Sequence, residues 1–589
     1  MQSPISRLPL SLLILSLVLI FGGSFLASWV QTAGGQIGVQ DVRFAGTDGV
    51  MMSGTLYLPA NATDKTPAPA VLAIHGYINS NETQSPYAIE YARRGYVVLA
   101  LDQTGHGYSD PPAFANGFGG PDGLRYLRTL PFIDRKAVVL EGHSMGGWAS
   151  VIAAAAVPKG YQSIVVSGSS TGTFGAPDGT PTFPRNFGLV FSQFDEFSEL
   201  MWGSPTGAEV VNTEKLQSAF GTDAPVAVGN LYGSVQNGTA RQLYAPPVTH
   251  PGDHITRAGV GATLDWLQKT TVAPNPLPAS NQVWFWKETG TLAALVGALL
   301  FLFGFGGVLL TTSAFAGLQQ PVAAAKGASG RGWWLAALLT ALLPTLTYFY
   351  FQNLGVQLLP ASVLFPQELT TGIVFWALAN SLISLVLFLL WHLLSARGHG
   401  AGARSYGLRA QNGRTLALFG KSVLFAVTVV AGVYTLLALC DGLFNTDFRF
   451  WVVALKLLSV LQFRIFLSYL LPFTLFFVMV GVVLNGQLRG LGDAPLSGRV
   501  MWRNALVLVA GIALLLVIQY VPLFFGAPLP LGEPLLTIVA HQFVVVLPLI
   551  ALVSTYFFGR TGLVYPGAFI SALFVTWLIV ASQATQFPL

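Results

Sequence analysis

Val138 to Ser150 reads Val-Val-Leu-Glu-Gly-His-Ser-Met-Gly-Gly-Trp-Ala-Ser. An apolar run reaches Leu140, a Gly-x-Ser-x-Gly pattern comes next at Gly142-His143-Ser144-Met145-Gly146, and a mostly small-residue run from Trp148 to Ala156 suits a helix. Strand, tight turn and helix is the setting that lifts a serine out of the backbone with its hydroxyl exposed. The glycines fit that setting, because a side chain at 142 or 146 is expected to strike neighbouring backbone in so sharp a turn. The same pattern recurs at Gly168-Ser169-Ser170-Thr171-Gly172, also after a strand-like run, Ser163 to Val166. The next stretch there, Thr173-Phe-Gly-Ala-Pro-Asp-Gly179, cannot start a helix, so the reading favours Ser144 over Ser170.

The flanking sequence extends this unit in both directions. Val39–Phe44 and Ser53–Leu58 alternate around Thr47-Asp48-Gly49 and read as a β-hairpin. Ala70–Ile74, Tyr96–Leu101 and Ala137–Leu140 are buried-type strands, with helices expected at Tyr87–Arg94 and Gly123–Leu130. Phe187–Phe191 is a further strand, Val210–Phe220 reads as a helix, and Val226–Tyr232 with Ala240–Tyr244 suggests a strand pair joined through Asn237-Gly238. A last helix is expected at Ala258–Lys269. Strands alternating with helices in this way predict an α/β domain whose mostly parallel sheet carries helices on both faces.

On these residues the stretch from about Asp41 to Gln268 resembles the α/β-hydrolase family. The resemblance implies a serine nucleophile, Ser144, and a triad in the chain order Ser, acid, His. His75, His106 and His143 precede Ser144 and take structural places in their motifs; His250 and His254 come after it. His250, directly after Pro246–Thr249 and well before the last helix, is the preferred base, with His254 the alternative. The acid is expected at a strand end. Asp178, Glu199, Glu209, Glu214 and Asp223 lie elsewhere, whereas Asp195 and Glu196 come just after Phe187–Phe191, and Asp195 is preferred. The backbone N–H groups of Tyr77, after His75-Gly76, and of Met145 are the implied oxyanion donors. Asp102-Gln-Thr-Gly-His-Gly107 resembles the family's D-x-R-G-H-G turn, with Thr104 in place of Arg. Such chemistry needs no cofactor and no metal. Its substrate would be an ester or amide, with peptidase and acyltransferase chemistry open to the same triad.

The rest of the chain is of another kind. Of the protein's 589 residues, 1–283 hold 15 Lys/Arg and 19 Asp/Glu, and 284–589 hold 15 and 6. The charged fraction, 9% overall, is far below the usual ~25%, and the deficit falls in the second half. Apolar runs of about 20 residues recur there, each long enough to cross a hydrocarbon core. They fall at about 290–313, 333–352, 371–394, 418–440, 465–485, 505–525, 535–557 and 564–583. With Leu8–Val30, read as an uncleaved anchor with a cleaved signal peptide as the alternative, they make about nine spans. The expected division is an anchor at 1–35, an α/β domain at 36–271, a Pro-rich linker at 272–288 and an all-α membrane domain at 289–589. Within the last, Phe444–Phe466, with Arg449, Lys456 and Arg464 among apolar and aromatic residues, reads as an amphipathic interfacial helix; the alternative, a tenth span, would put basic residues at membrane depth.

Eleven Lys/Arg fall in connections on the side of the N-terminus and four on the other, which predicts a cytoplasmic N-terminus and an extracytoplasmic α/β domain. The positive net charge, +5, is then a topology signal and not a nucleic-acid footprint; the expected partner is the lipid bilayer, with a lipid or envelope ester as substrate. Asn61, Asn81 and Asn237 stand in N-x-T sequons on the exported side. The single cysteine, Cys440, excludes an intrachain disulfide. Polar residues inside spans are few, Asn380, Gln519, His541 and Gln542 among them, and no acid falls in any span. That argues against one rival reading, a transporter with an inactive hydrolase-like domain; the intact Gly-x-Ser-x-Gly elbow and the downstream His argue against the other, a membrane scaffold with a non-catalytic domain.

Overall fold

The computed structural model describes residues 7–494 and 496–587. The first six residues of the expected anchor lie outside them. The chain divides into two compact units: Phe25–Gly290 with Gln519–Pro534 and Ser582–Leu589, and Met1–Ser24 with Thr291–Ile518 and Leu535–Ala581.

The first unit is built on a nine-stranded sheet in the order β1-β2-β4-β3-β5-β6-β7-β9-β8. Its strands are β1 (Ile37–Ala45), β2 (Met51–Pro59), β3 (Ala68–Ile74), β4 (Val97–Leu101), β5 (Ile133–His143), β6 (Ser163–Ser167), β7 (Phe187–Val190), β8 (Leu231–Tyr232) and β9 (Arg241–Tyr244). β1, β2 and β8 join antiparallel, and the six strands from β4 to β9 across the middle are parallel.

Each central strand is apolar on both faces because both faces are covered. Leu72 and Ile74, Leu99 and Leu101, and Val138 and Leu140 pack into one core. Val71 and Ala73, Val98 and Ala100, and Val139 pack into the other. This is the period of two that strand geometry imposes. After α1 (Arg7–Gln31), the helices that fill the connections are α2 (Ser85–Arg93), α3 (Gly120–Leu127), α4 (Met145–Ala156), α5 (Ser198–Trp202), α6 (Glu214–Phe220), α7 (Gly252–Ile255) and α8 (Arg257–Thr270).

Local differences from the sequence expectation have physical causes. The helix expected at Val210–Phe220 is split into a 3-10 segment, Gly207–Asn212, and α6. Thr213 sits extended between them, its hydroxyl accepting from Leu216 N–H as an N-cap. The proline-rich stretch after α8 lies against α2, because Arg94 donates to the carbonyls of Leu277, Pro278 and Asn281.

The second unit is helical. Among the described residues, eight helices are long and apolar enough to cross a membrane, α1 included, or nine if one bent pair counts as a single span. That pair, Gly330–Leu346 and Tyr348–Leu358, turns by 51° just after Pro344, which has no N–H to give the helix. Side chains of the neighbouring helix hold the bend: Trp376 Nε1 donates to Pro344 O at 2.7 Å, and Asn380 Nδ2 donates to the Thr347 hydroxyl at 3.0 Å.

Phe444–Phe466 is not the amphipathic helix that its composition suggests. Phe448–Phe450 and Val453–Leu455 form a short antiparallel hairpin, and a helix begins only at Val460. Ser459 and Gln462 make a reciprocal capping box that fixes that start. Arg449 and Lys456 are buried, not displayed on a polar face, and Arg449 Nε donates to Asp447 at 2.6 Å. An acid two residues away, within reach in an extended chain, is what makes that burial tolerable.

Candidate active site

Ser144 stands between the end of β5 and the start of α4 with φ +55° and ψ −123°. A non-glycine residue in that region costs about 1–3 kcal/mol, and the surroundings hold it there. Its N–H donates to Ser167 O on the adjacent β6 at 2.8 Å, and its carbonyl accepts from Gly147 N–H at 2.9 Å. The two motif glycines are required by space: a Cβ on Gly142 would lie 2.1 Å from Gly146 O, and one on Gly146 would lie 2.0 Å from Ile74 O.

The chain after β3 closes over the serine. A Cβ on Gly76 would stand 3.0 Å from Ser144 Cβ, so the Gly76-Tyr77 backbone runs directly beside it. His75 fixes that turn: its Nδ1–H donates to Gly76 O at 2.6 Å while Nε2 accepts Gln103 N–H at 3.1 Å. Met145 opens α4, where first-turn N–H groups have no acceptor within the helix. In the 102–107 turn, Asp102 accepts N–H groups from Asn81 and Tyr108 at 2.8 and 3.0 Å, and Thr104 Oγ1 donates to Ala115 O. The threonine found in place of arginine therefore serves loop packing.

His250 and Asp195 come from the ends of β9 and β7, whose extensions run side by side. His250 Nδ1 and Asp195 Oδ2 are 2.9 Å apart. The other carboxylate oxygen of Asp195 accepts Phe197 N–H at 2.8 Å, and the Phe197 ring lies 4.7 Å from the imidazole. His143, next to the serine, donates from Nε2 to His250 O at 3.0 Å, with the two rings 4.7 Å apart. The imidazole thus packs one residue from Ser144. Ser144 Oγ and His250 Nε2 are not hydrogen-bonded to each other or to another described residue; such bonds often tighten only with substrate bound. His254 lies in α7, edge-on to His143 at 4.4 Å, with neither ring nitrogen hydrogen-bonded.

Burial alone would lower the basicity of His250, but the Asp195 carboxylate, with Glu196 and Asp253 behind it, outweighs that and raises its pKa. Burial pushes His254 down to about 3 and keeps it neutral. Glu196 is raised to about 7 by burial and by Asp195, and burial lifts Asp253 well above the usual carboxyl range. Among the described residues, no group of three His, Cys, Asp or Glu side chains is arranged to hold a metal ion.

Aromatic rings flank the serine. Tyr77 packs on Phe114 at 5.5 Å, and Trp148, one turn into α4, stacks on Phe174 at 4.6 Å; Phe114 and Phe174 are both exposed. Ser170, from the second motif copy, is fully buried and accepts from Trp148 Nε1 at 3.1 Å.

Two later segments reach this unit unannounced by any motif. Tyr520 O–H donates to Glu196 at 2.7 Å, and Phe524 meets Phe194 edge-on at 5.4 Å. At the C-terminal end, Thr585 exchanges backbone hydrogen bonds with Gly105 and Ala113, both at 2.8 Å, and Gln586 Nε2 donates to Tyr77 Oη at 2.9 Å. The only sequence signal was Gln519, a polar residue inside an apolar run, which ties its own loop by bonding Gly532 O and Leu531 N–H.

Comparison with known proteins agrees with this architecture. A profile of the alpha/beta hydrolase family matches residues 71–274. A 108-residue stretch is 35% identical to 2-(acetamidomethylene)succinate hydrolase of Mesorhizobium japonicum, covering 18% of this chain and 37% of that protein. A 121-residue stretch is 30% identical to the uncharacterized peptidase YuxL of Bacillus subtilis, covering 18% of each. The chain thus spans well under half the length of either relative. Among solved structures, the hyperthermophilic esterase of Pyrobaculum calidifontis superposes with a TM-score of 0.29 at 15% identity, over 46% of this chain and 91% of that one. Residues 71–274 are an α/β-hydrolase family domain, set in a chain that also carries a series of long apolar helices.

Proposed function

We propose that the protein is a membrane-anchored serine hydrolase that cleaves an ester or amide bond through Ser144, His250 and Asp195. The observation that carries this reading is the pairing of His250 Nδ1 with Asp195 at 2.9 Å beside a serine held at positive φ. The relatives named a hydrolase and a peptidase are in keeping with acyl transfer.

In this mechanism His250 Nε2 takes the proton of Ser144 Oγ as that oxygen bonds to the substrate carbonyl carbon. Asp195 holds Nδ1–H and stabilises the imidazolium. The N–H groups of Tyr77 and Met145 bind the oxyanion. Collapse breaks the bond to the leaving group, which departs with the proton from His250. Water then adds to the acyl-enzyme by the same route and frees Ser144. The flanking aromatics Tyr77, Phe114, Trp148 and Phe174 suit an apolar acyl chain, so a lipid or cell-envelope ester at the bilayer surface is the preferred substrate class. The charge distribution supports a cytoplasmic N-terminus and an extracytoplasmic hydrolase domain.

The test is hydrolysis of a panel of lipid esters by the detergent-solubilised full chain. Ser144→Ala is expected to lose activity by about 10³-fold or more. Unchanged turnover in that variant would contradict the reading, as would no turnover by folded wild type on any ester or amide offered.

A further inference from the structure

A second buried acid sits directly after Asp195, and its two oxygens are used separately. Glu196 Oε2 accepts His250 N–H at 2.7 Å; Oε1 accepts Tyr520 O–H at 2.7 Å. The loop after β7, the loop that carries His250 and the end of the helix Gly498–Phe524 therefore meet on one carboxylate. Tyr520 belongs to the segment Gln519–Pro534, part of the same compact unit as the sheet. The segment is itself braced. Gln519 closes its loop onto Leu531 and Gly532, and Phe524 packs against Phe194, two residues before Glu196.

We propose that Tyr520 is a positioning residue of the active site: through Glu196 it fixes the backbone of the His250 loop, which keeps Nδ1 on Asp195 and leaves Nε2 for the serine proton. This rests on the reading of Ser144 and His250 as nucleophile and base. A positioning role is sensible in energy terms because a hydrogen bond to a charged group contributes more than one between neutral groups. The electrostatics run the same way. Glu196 is raised to about 7 by burial and Asp195, and the Tyr520 hydrogen bond opposes that rise. Ionised Glu196 joins Asp195 in favouring the charged imidazole. The remaining titratable neighbours, His143 and His254, are held neutral by burial.

The test uses the full chain in detergent, with Tyr520→Phe, Glu196→Gln and Glu196→Ala, and tracks ester hydrolysis from acid to neutral pH. Tyr520→Phe is expected to lower kcat by about tenfold with KM within about twofold. It is also expected to move the acid limb of kcat to lower pH. Charge sets the sign: without its donor Glu196 takes up a proton more readily, and losing a negative charge beside His250 lowers the imidazole pKa. Glu196→Gln keeps an acceptor for His250 N–H, so it is expected to hold most of kcat while retaining the displaced limb. Glu196→Ala loses both bonds and is expected to fall at least as far as Tyr520→Phe.

Wild-type kcat in Tyr520→Phe overturns the proposal, and so does a loss of kcat with an unmoved acid limb. Should Tyr520→Phe fail to fold, wild-type kcat in Glu196→Ala overturns it instead. Ser144→Ala measured alongside separates the two failures: if it is inactive while Tyr520→Phe behaves as wild type, only this inference is lost.

Discussion

The two Gly-x-Ser-x-Gly copies sit side by side in the fold and do opposite things. They leave adjacent parallel strands, β5 and β6, in a register that pairs His143 with Ser167. In the first copy the serine itself takes the positive φ, while Gly142 and Gly146 are there because backbone oxygens leave no room for a Cβ. In the second copy the glycines take the positive φ, +55° at Gly168 and +66° at Gly172, and Ser170 is buried in a hydrogen-bond network with Trp148 and Thr173. The pattern of five letters is the same; the residues just beyond it differ. A helix can start at Met145, which forces the strain onto Ser144 and leaves it half-buried, whereas Ser170 is fully buried. Thr173 to Gly179 cannot start one, so the glycines absorb the turn.

Asp195→Asn gives the largest effect expected after removal of Ser144 itself. It leaves the imidazole without its anion and is expected to lower kcat on the order of 10⁴-fold, with the fold unchanged by circular dichroism. Gly146→Ala attacks the elbow through space. Its Cβ would fall 2.0 Å from Ile74 O, and a loss of about 3 kcal/mol or more is expected in denaturant unfolding. The pH profile tests the base. The pKa of His250 is raised above its ordinary 6.5, and only the neutral ring can take the serine proton. Activity should therefore fall as pH drops through a midpoint above 6.5; a midpoint at or below 6.5 would speak against His250 as base. Ser170→Ala is the smallest change. It strands the Trp148 indole N–H and is expected to cost about 1–3 kcal/mol of stability, with hydrolysis within about twofold of wild type.

Legibility in the sequence depended on which interactions are local. The sheet could be read because Ala70–Ile74, Tyr96–Leu101 and Val138–Leu140 are buried on both faces and show it in unbroken apolar runs. The elbow could be read because strand, turn and helix are contiguous. Phe444–Phe466 misled because its aromatics and cations fit an amphipathic helix by composition. The deciding facts were an acid two residues from Arg449 and a capping box at Ser459 and Gln462. The second of these stood in the sequence as a Ser-x-x-Gln signal. Gln586 could not be found, and the only hint of Tyr520 was the polar Gln519 beside it. Each reaches the site across hundreds of residues, with sequence separations of 324 and 509 to Glu196 and Tyr77, and no local pattern records such a contact.

Of two look-alike serines, only Ser144 is expected to be the nucleophile. Treatment of the full-length protein with a fluorophosphonate, then digestion and mass mapping, addresses it most directly. A single adduct is expected on the peptide containing Ser144 and none on the peptide containing Ser170. An adduct on Ser170, or no adduct on either in folded protein, would contradict it.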